Sequence, residues 1–230
     1  MSKRYCVIGA GASGLTAIKA CIEHGVEVTC FERTEEIGGL WRYTDEITQN
    51  GSVAKSTVIN TSKEFMAFSD FPIPEEFPNF MRHDMIIKYF HMYADHFGLK
   101  KHIQFNVEVS KVDFADDYDT SGRWKIWHKQ KSTGKETCTE FDGVFVCTGH
   151  HVEPFKPSFP GLDEFQGSVV HTHDYKKGDS YIDKNVLIIG IGNSGGDVAV
   201  ELCRFAKTLH ISTRRGTWCF PRSQPNVSRP

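Results

Sequence analysis

Tyr5-Cys6-Val7-Ile8-Gly9-Ala10-Gly11-Ala12-Ser13-Gly14 runs an apolar stretch straight into three glycines spaced as G-x-G-x-x-G. That is the opening of a dinucleotide-binding βαβ unit: the glycines permit a tight turn and close backbone approach, and the following helix offers its free N–H groups to a pyrophosphate. The same pattern recurs at Gly190-Ile191-Gly192-Asn193-Ser194-Gly195, after the apolar run 185–189. Position 23 beyond the first glycine is Glu32 in one copy and Thr213, followed by Arg214 and Arg215, in the other. A carboxylate there accepts hydrogen bonds from a ribose 2′-hydroxyl, whereas arginine suits a 2′-phosphate. One site is therefore expected to hold an unphosphorylated adenosine, such as that of FAD or NAD, and the other to prefer NADP(H). A chain that brings two redox nucleotides together reads as an oxidoreductase. The plainer alternative at each copy is a strand–turn–helix whose glycines serve only packing.

The surrounding periodicity agrees with two such units. Residues 13–24 read as a helix with Leu15, Ile18 and Ile22 on one side, Gly25 as its stop and 26–31 as the second strand. The later copy repeats this order with a strand at 186–189, a helix over 194–205 and a strand at 208–212. Between them, residues 84–97 form the most periodic helix, with Ile86, Phe90, Tyr93 and Phe97 on one stripe and Gly98 ending it. Segments 103–109, 124–128, 137–141 and 144–148, separated by polar turns, read as a β-meander returning to an apolar strand. Pro72, Pro74 and Pro78 make 69–80 a non-helical loop. The predicted class is thus α/β: a Rossmann-like domain, FAD- or NAD-binding, with a β-meander insertion, then a partial NADP(H)-binding Rossmann domain. The boundaries fall at 1–150, a linker at 151–184 that is rich in Pro and Gly, and 185–230. A mononucleotide half normally has three parallel strands, and 213–230 shows no strand or helix pattern, so the second unit reads as unfinished.

Composition narrows the function classes. With 230 residues, 39% hydrophobic and 24% charged, the chain is ordinary for a globular protein with a sizeable core. A net charge of -2 and the lack of a basic run give no reason to propose nucleic acid. Seven widely spaced cysteines without a Cys-x-x-Cys argue against a dithiol centre or zinc ribbon and suit a reducing compartment. The apolar N-terminal stretch is accounted for as strand and phosphate turn rather than signal peptide, and no run of 18 apolar residues predicts a membrane span.

These motifs together resemble the flavin-containing monooxygenases over residues 3–222. Gly9, Ala10, Gly11, Ala12, Ser13 and Gly14 with Glu32 resemble the family's FAD fingerprint. Gly38-Gly39-Leu40-Trp41 resembles its second flavin-proximal motif, and Cys147-Thr148-Gly149 its strand-ending linker. Phe165-x-Gly167-x-x-x-His171-x-x-x-Tyr175-Lys176 is similar to the family's identifying sequence, and Tyr175-Lys176 favours the monooxygenases proper over Baeyer–Villiger relatives. Gly190, Gly192, Asn193, Ser194, Gly195, Gly196 and Asp197, with Arg214 beyond the strand, resemble the NADPH site. Family members continue well past this point, so the resemblance implies a C-terminally truncated form.

The resemblance implies FAD and NADPH as cofactors, O2 and a small nucleophilic substrate as partners, and oxygenation of nitrogen or sulfur through a C4a-hydroperoxyflavin, chemistry that belongs mainly to the cofactor. Asn60 matches the family's asparagine beside flavin and nicotinamide, with Thr61 contributing to flavin binding. A neutral amide donates and accepts without being a proton source; read without the family, Asn60 is a turn former. The resemblance also implies a cytoplasmic location or the cytosolic face of the endoplasmic reticulum, with which family members often associate. Two other readings stand beside it: a truncated nucleotide-binding form without turnover, and an NADPH oxidase that releases hydrogen peroxide. The missing Cys-x-x-Cys counts against a flavin disulfide reductase. His171 and His173 form a His-x-His pair without a third carboxylate or cysteine in a fixed scaffold, so no metal is expected, and His171 reads as structural.

Overall fold

A computed structural model describes residues 2–48 and 51–218. In chain order its elements begin with β1 (Arg4–Ile8), α1 (Ala12–Glu23), β2 (Glu27–Glu32), α2 (Lys63–Met66) and α3 (His83–His96). Then come β3 (Ile103–Phe105), β4 (Val107–Phe114), α4 (Tyr118–Ser121), β5 (Trp124–Gln130), β6 (Glu136–Phe141) and β7 (Gly143–Val146). The last are β8 (Asn185–Ile189), α5 (Asn193–Leu202) and β9 (Thr208–Ser212).

In the first compact unit, β1, β2, β3 and β7 form a parallel sheet in the order β3-β2-β1-β7, the 3-2-1-4 arrangement of dinucleotide-binding sheets. Strand alternation sets its two faces. Cys6 and Phe31 point to one side, where they join Val107, Ile126 and Phe141 of the antiparallel β4-β5-β6 meander in one core cluster. Val7 and Cys30, paired in register, point to the other side, where α1 buries Leu15, Ile18 and Cys21. Ile126 has no exposed surface, and full burial of such a side chain contributes about 1.5–3 kcal/mol. Helix α3 buries Ile86, Tyr89, Phe90, Tyr93 and Ala94 and ends at His96; Phe97 just beyond it is half-buried, and Gly98 follows with φ +62°.

The segment 103–109, expected as one strand, is two. Asn106 takes φ 57°, so β3 ends its parallel pairing with β2 there, and β4 starts a different, antiparallel partnership with β5. The expected strand at 144–148 stops at Val146, and the helix expected over 194–205 closes at Leu202.

The second unit contains a two-stranded parallel sheet, β8-β9, with α5 packed through Val198, Ala199 and Leu202 against Ile188 and Tyr175. Val186 and Leu209 line the same cluster, while Leu187 and Ile189 on the opposite face are 60% and 55% exposed. By internal contacts, residues 44–47 and 53–83 belong to this unit together with the chain from Lys156 on, and residues 84–155 belong to the first. The boundaries drawn from composition run along the chain, whereas compactness gathers 53–83 with the later fingerprint. Between Ser212 and Trp218 there is no further strand among the described residues; the remaining tail and Cys219 lie outside them.

Candidate functional site

At the first fingerprint, Gly9 holds φ +97° and donates its N–H to the Phe31 carbonyl at 2.9 Å. A Cβ on Gly9 would lie 2.6 Å from the Cys147 carbonyl oxygen at the end of β7, and one on Gly14 would lie 1.9 Å from the Gly9 carbonyl oxygen. The turn is therefore closed against both the neighbouring strand and its own helix, and neither position has room for a side chain. Gly11 is the N-cap of α1 and supplies no side-chain acceptor. The first-turn N–H groups of Ala12, Ser13 and Gly14 have no intrahelical partner, as at any helix start.

The loop after β2 folds back onto this turn. Gly38 donates to the Ala10 carbonyl at 3.1 Å, and Gly39 (φ +53°) comes so near that a Cβ there would be 3.3 Å from Gly11 Cα. Leu40 and Trp41 complete the short 3-10 turn Gly39–Trp41 beside it. The structure thus brings the two glycine motifs together backbone against backbone, leaving a cradle that a Cβ would fill.

Glu32, at the end of β2, is 6% exposed. Its Oε2 accepts the Ala10 N–H at 2.7 Å, and its Oε1 accepts both the N–H and the hydroxyl of Thr34 at 2.9 and 2.8 Å. Three donors occupy three of about four lone-pair sites, so one acceptor position on Oε2 is left for a hydroxyl donor. Thr34 was not singled out in the sequence; a hydroxyl residue two beyond the acidic position was its only signal.

The second fingerprint repeats the frame. Gly190 holds φ +105° and donates to the Ser212 carbonyl at 3.0 Å, as Gly9 does to Phe31. A Cβ on Gly195 would lie 2.6 Å from the Gly190 carbonyl oxygen. Gly192 caps α5 without a side-chain acceptor, Asn193 and Ser194 open the helix, and Gly196 and Asp197 follow in it. Because Phe31 and Ser212 make the same hydrogen bond, the next residues correspond: Thr213 stands where Glu32 stands. Thr213 Oγ1 accepts the Gly216 N–H at 2.9 Å, and Arg214 and Arg215 are exposed. The carboxylate of the first frame is thus replaced by a hydroxyl with two guanidinium groups beside it. Among the described residues a Cβ on Gly190 would meet nothing within 4 Å, unlike one on Gly9.

Asn60 lies in the second unit, exposed, its Oδ1 accepting the Thr61 hydroxyl at 3.3 Å. The chain leading to it is held by Ile59 N–H to the Met81 carbonyl (2.9 Å), a Val58–Arg82 bridge and His83 N–H to the Thr57 carbonyl (3.3 Å). Ser56 and Glu201, which sequence reasoning passed over, are joined by a hydrogen bond from Ser56 Oγ to Glu201 Oε2 at 2.5 Å.

In the segment 165–176, the His173 N–H donates to His171 Nδ1 at 3.1 Å, and His173 Nδ1 lies 2.7 Å from Asp174 Oδ1. That contact holds the Asp174 carboxyl below its usual range. Tyr175 is a core residue; among the described residues its buried hydroxyl has no hydrogen-bond partner of good geometry, and burial first, then the nearby Glu201 carboxylate, pushes its pKa up. Burial also lowers the pKa of Lys176. Among the described residues no three His, Cys, Asp or Glu side chains are grouped to hold a metal ion.

The family described as flavin-binding monooxygenase-like matches residues 2–227. Flavin-containing monooxygenase 5 of Oryctolagus cuniculus is 51% identical over 223 residues, which are 96% of this chain and 42% of that protein. A dimethylaniline monooxygenase, N-oxide-forming, of Macaca mulatta is 48% identical over 225 residues with the same coverage. Among solved structures, S-allyl-L-cysteine S-oxygenase from Allium sativum superposes with a TM-score of 0.85 at 31% identity, over 98% of this chain and 54% of that one. The chain spans about 42% of the length of the curated relatives it matches.

Proposed function

Since the chain belongs to the flavin-binding monooxygenase-like family, we propose that it binds FAD and NADPH and uses O2 to oxygenate nitrogen- or sulfur-containing small molecules. The observation that carries this reading is the pair of matching glycine turns with a buried carboxylate after one and a Thr-Arg-Arg run after the other. The similarity to an N-oxide-forming enzyme and to an S-oxygenase supports soft nitrogen and sulfur nucleophiles as the substrate class.

The first cradle fits FAD. The uncapped start of α1 suits a pyrophosphate, the glycine contact between residues 11 and 39 leaves space for it, and the remaining acceptor on Glu32 suits a ribose hydroxyl. Bound flavin would supply the difficult step, taking hydride from NADPH and activating oxygen. The chain's own residues have simpler tasks. Gly9 to Gly14 and Glu32 bind and orient the adenosine diphosphate, while Gly39, Leu40 and Trp41 adjoin the same turn. Gly190, Gly192, Asn193, Ser194, Gly195, Gly196 and Asp197 form the second cradle, and Arg214 pairs with the 2′-phosphate as a planar, permanently charged fork. Asn60, with Thr61, is the proposed amide at the reacting centre, able to donate and accept without releasing a proton. We propose a location on the cytosolic side, in the cytoplasm or at the endoplasmic reticulum, supported by six unpaired thiols among the described residues. No described helix is long and apolar enough to cross a membrane.

The test is a titration. The protein should take up FAD, and Arg214→Ala should weaken NADPH roughly tenfold or more while leaving NADH nearly unchanged, the scale of a lost charge-assisted pair. Equal loss for the two nucleotides would refute the phosphate role. Flavin uptake with hydrogen peroxide as the sole oxygen product would indicate an oxidase instead.

A further inference from the structure

Ser56 lies four positions before Asn60, and its hydroxyl donates to one oxygen of the Glu201 carboxylate at 2.5 Å. The other oxygen of Glu201 accepts the Gly178 N–H at 3.0 Å. Glu201 is on α5, whose first turn is the second glycine fingerprint. One half-buried carboxylate therefore ties three pieces of the same unit together: the fingerprint helix, the turn Gly178–Tyr181, and the segment leading to Asn60. Two further contacts brace the same junction. Lys55 N–H donates to the Lys176 carbonyl at 2.8 Å, and Ala54 packs against the cluster of Tyr175, Ile188, Val198, Ala199 and Leu202. A helical glutamate is ordinarily a solvated charge, but here a donor on each oxygen fixes its rotamer, and charge-assisted hydrogen bonds are the strong ones.

We propose that Glu201 is a positioning residue which, through Ser56, fixes the segment carrying Asn60 on the helix of the second fingerprint. The inference rests on the reading of Asn60 given above. Glu201 touches no reacting atom in this role; it holds the chain from which the Asn60 amide projects. A loosened clasp should let the amide wander from its working place, so that oxygen is reduced and released rather than transferred.

Hydrogen exchange of the full chain and product partition of the flavin-loaded protein test this together. Glu201→Ala and the milder Ser56→Ala should speed amide exchange across 53–59 roughly three- to tenfold, the scale of one lost hydrogen bond, with exchange in 4–15 unchanged. Both should also raise the share of NADPH oxidation that ends as hydrogen peroxide. Glu201→Gln should restore both readouts, because its carbonyl still accepts from Gly178 and its amide can donate to the Ser56 hydroxyl. Added to Asn60→Ala, Glu201→Ala should raise the peroxide share no further. Unchanged exchange at 53–59 would overturn the clasp. Faster exchange with an unchanged peroxide share, in a protein where Asn60→Ala does raise it, would overturn the link to Asn60. Should Asn60→Ala itself leave the share unaltered, the reading of Asn60 fails and the proposal with it, even if the exchange result stands.

Discussion

Glu32 has two occupations at once. Its carboxylate terminates β2, yet three donors from Ala10 and Thr34 converge on it in a place that is 6% exposed. Glu32→Gln would set an amide N–H2 against at least one of those donors. The expected cost is about 1–3 kcal/mol of stability, read from denaturant unfolding without cofactor, along with weaker FAD uptake. If the variant unfolds at the parent's midpoint, the structural share of its work is refuted. Residues of this kind differed in how openly the sequence displayed them. The place of Glu32 is reached by counting along a fingerprint, and Arg214 stands one residue beyond the same count in the second copy. Thr34, Ser56 and Glu201 did not, because their roles lie in which side chain meets which across long separations, and a serine in a turn or a glutamate on a helix looks like any solvated polar group.

The regular elements were mostly legible because glycine turns, helical stripes and alternating strands each carry a strong local period. Where reading failed, a backbone event without a periodic signature was responsible. Asn106, in a left-handed conformation, divides 103–109 between two sheets, and the short helix Lys63–Met66 is a single turn. The glycines of the two fingerprint helices make a contrasting pair. A methyl on Gly14 would fall 1.9 Å from a backbone carbonyl oxygen that cannot retreat, whereas one on Gly196 would meet nothing within 4 Å among the described residues. Gly14→Ala should therefore destabilise by about 3 kcal/mol as β1 and α1 are forced apart. Gly196→Ala should stabilise by about 0.5–1 kcal/mol, since alanine loses less entropy inside a helix. Thermal or denaturant unfolding of the two variants checks the opposite signs; equal effects would contradict the packing described.

Across the molecule as a whole, the distribution of thiols makes a pH-dependent statement. Cys6 is fully buried and its pKa is pushed up from 9.0 to about 12 by desolvation, and Cys30 is raised by the same cause with help from neighbouring Glu32. Because the folded value lies above the unfolded one, this contribution to stability is fully present below pH 9 and is lost as pH rises from 9 towards 12. The denaturant midpoint should hold level to about pH 8.5 and then fall, and Cys6→Ala should flatten part of that fall. At pH 8 an alkylating reagent should label exposed Cys138 and Cys203 long before Cys6 or Cys30. Simultaneous labelling of all four would show that the first sheet opens far more readily than its burial implies. The repeated bond from the leading glycine to the carbonyl closing the second strand (Gly9 to Phe31, Gly190 to Ser212) carries a broader lesson. It works as a common gauge, spacing each cradle identically whatever comes next. On the proposed reading, the choice of nucleotide is then written in a few side chains just past that gauge, which can change without disturbing the scaffold beneath.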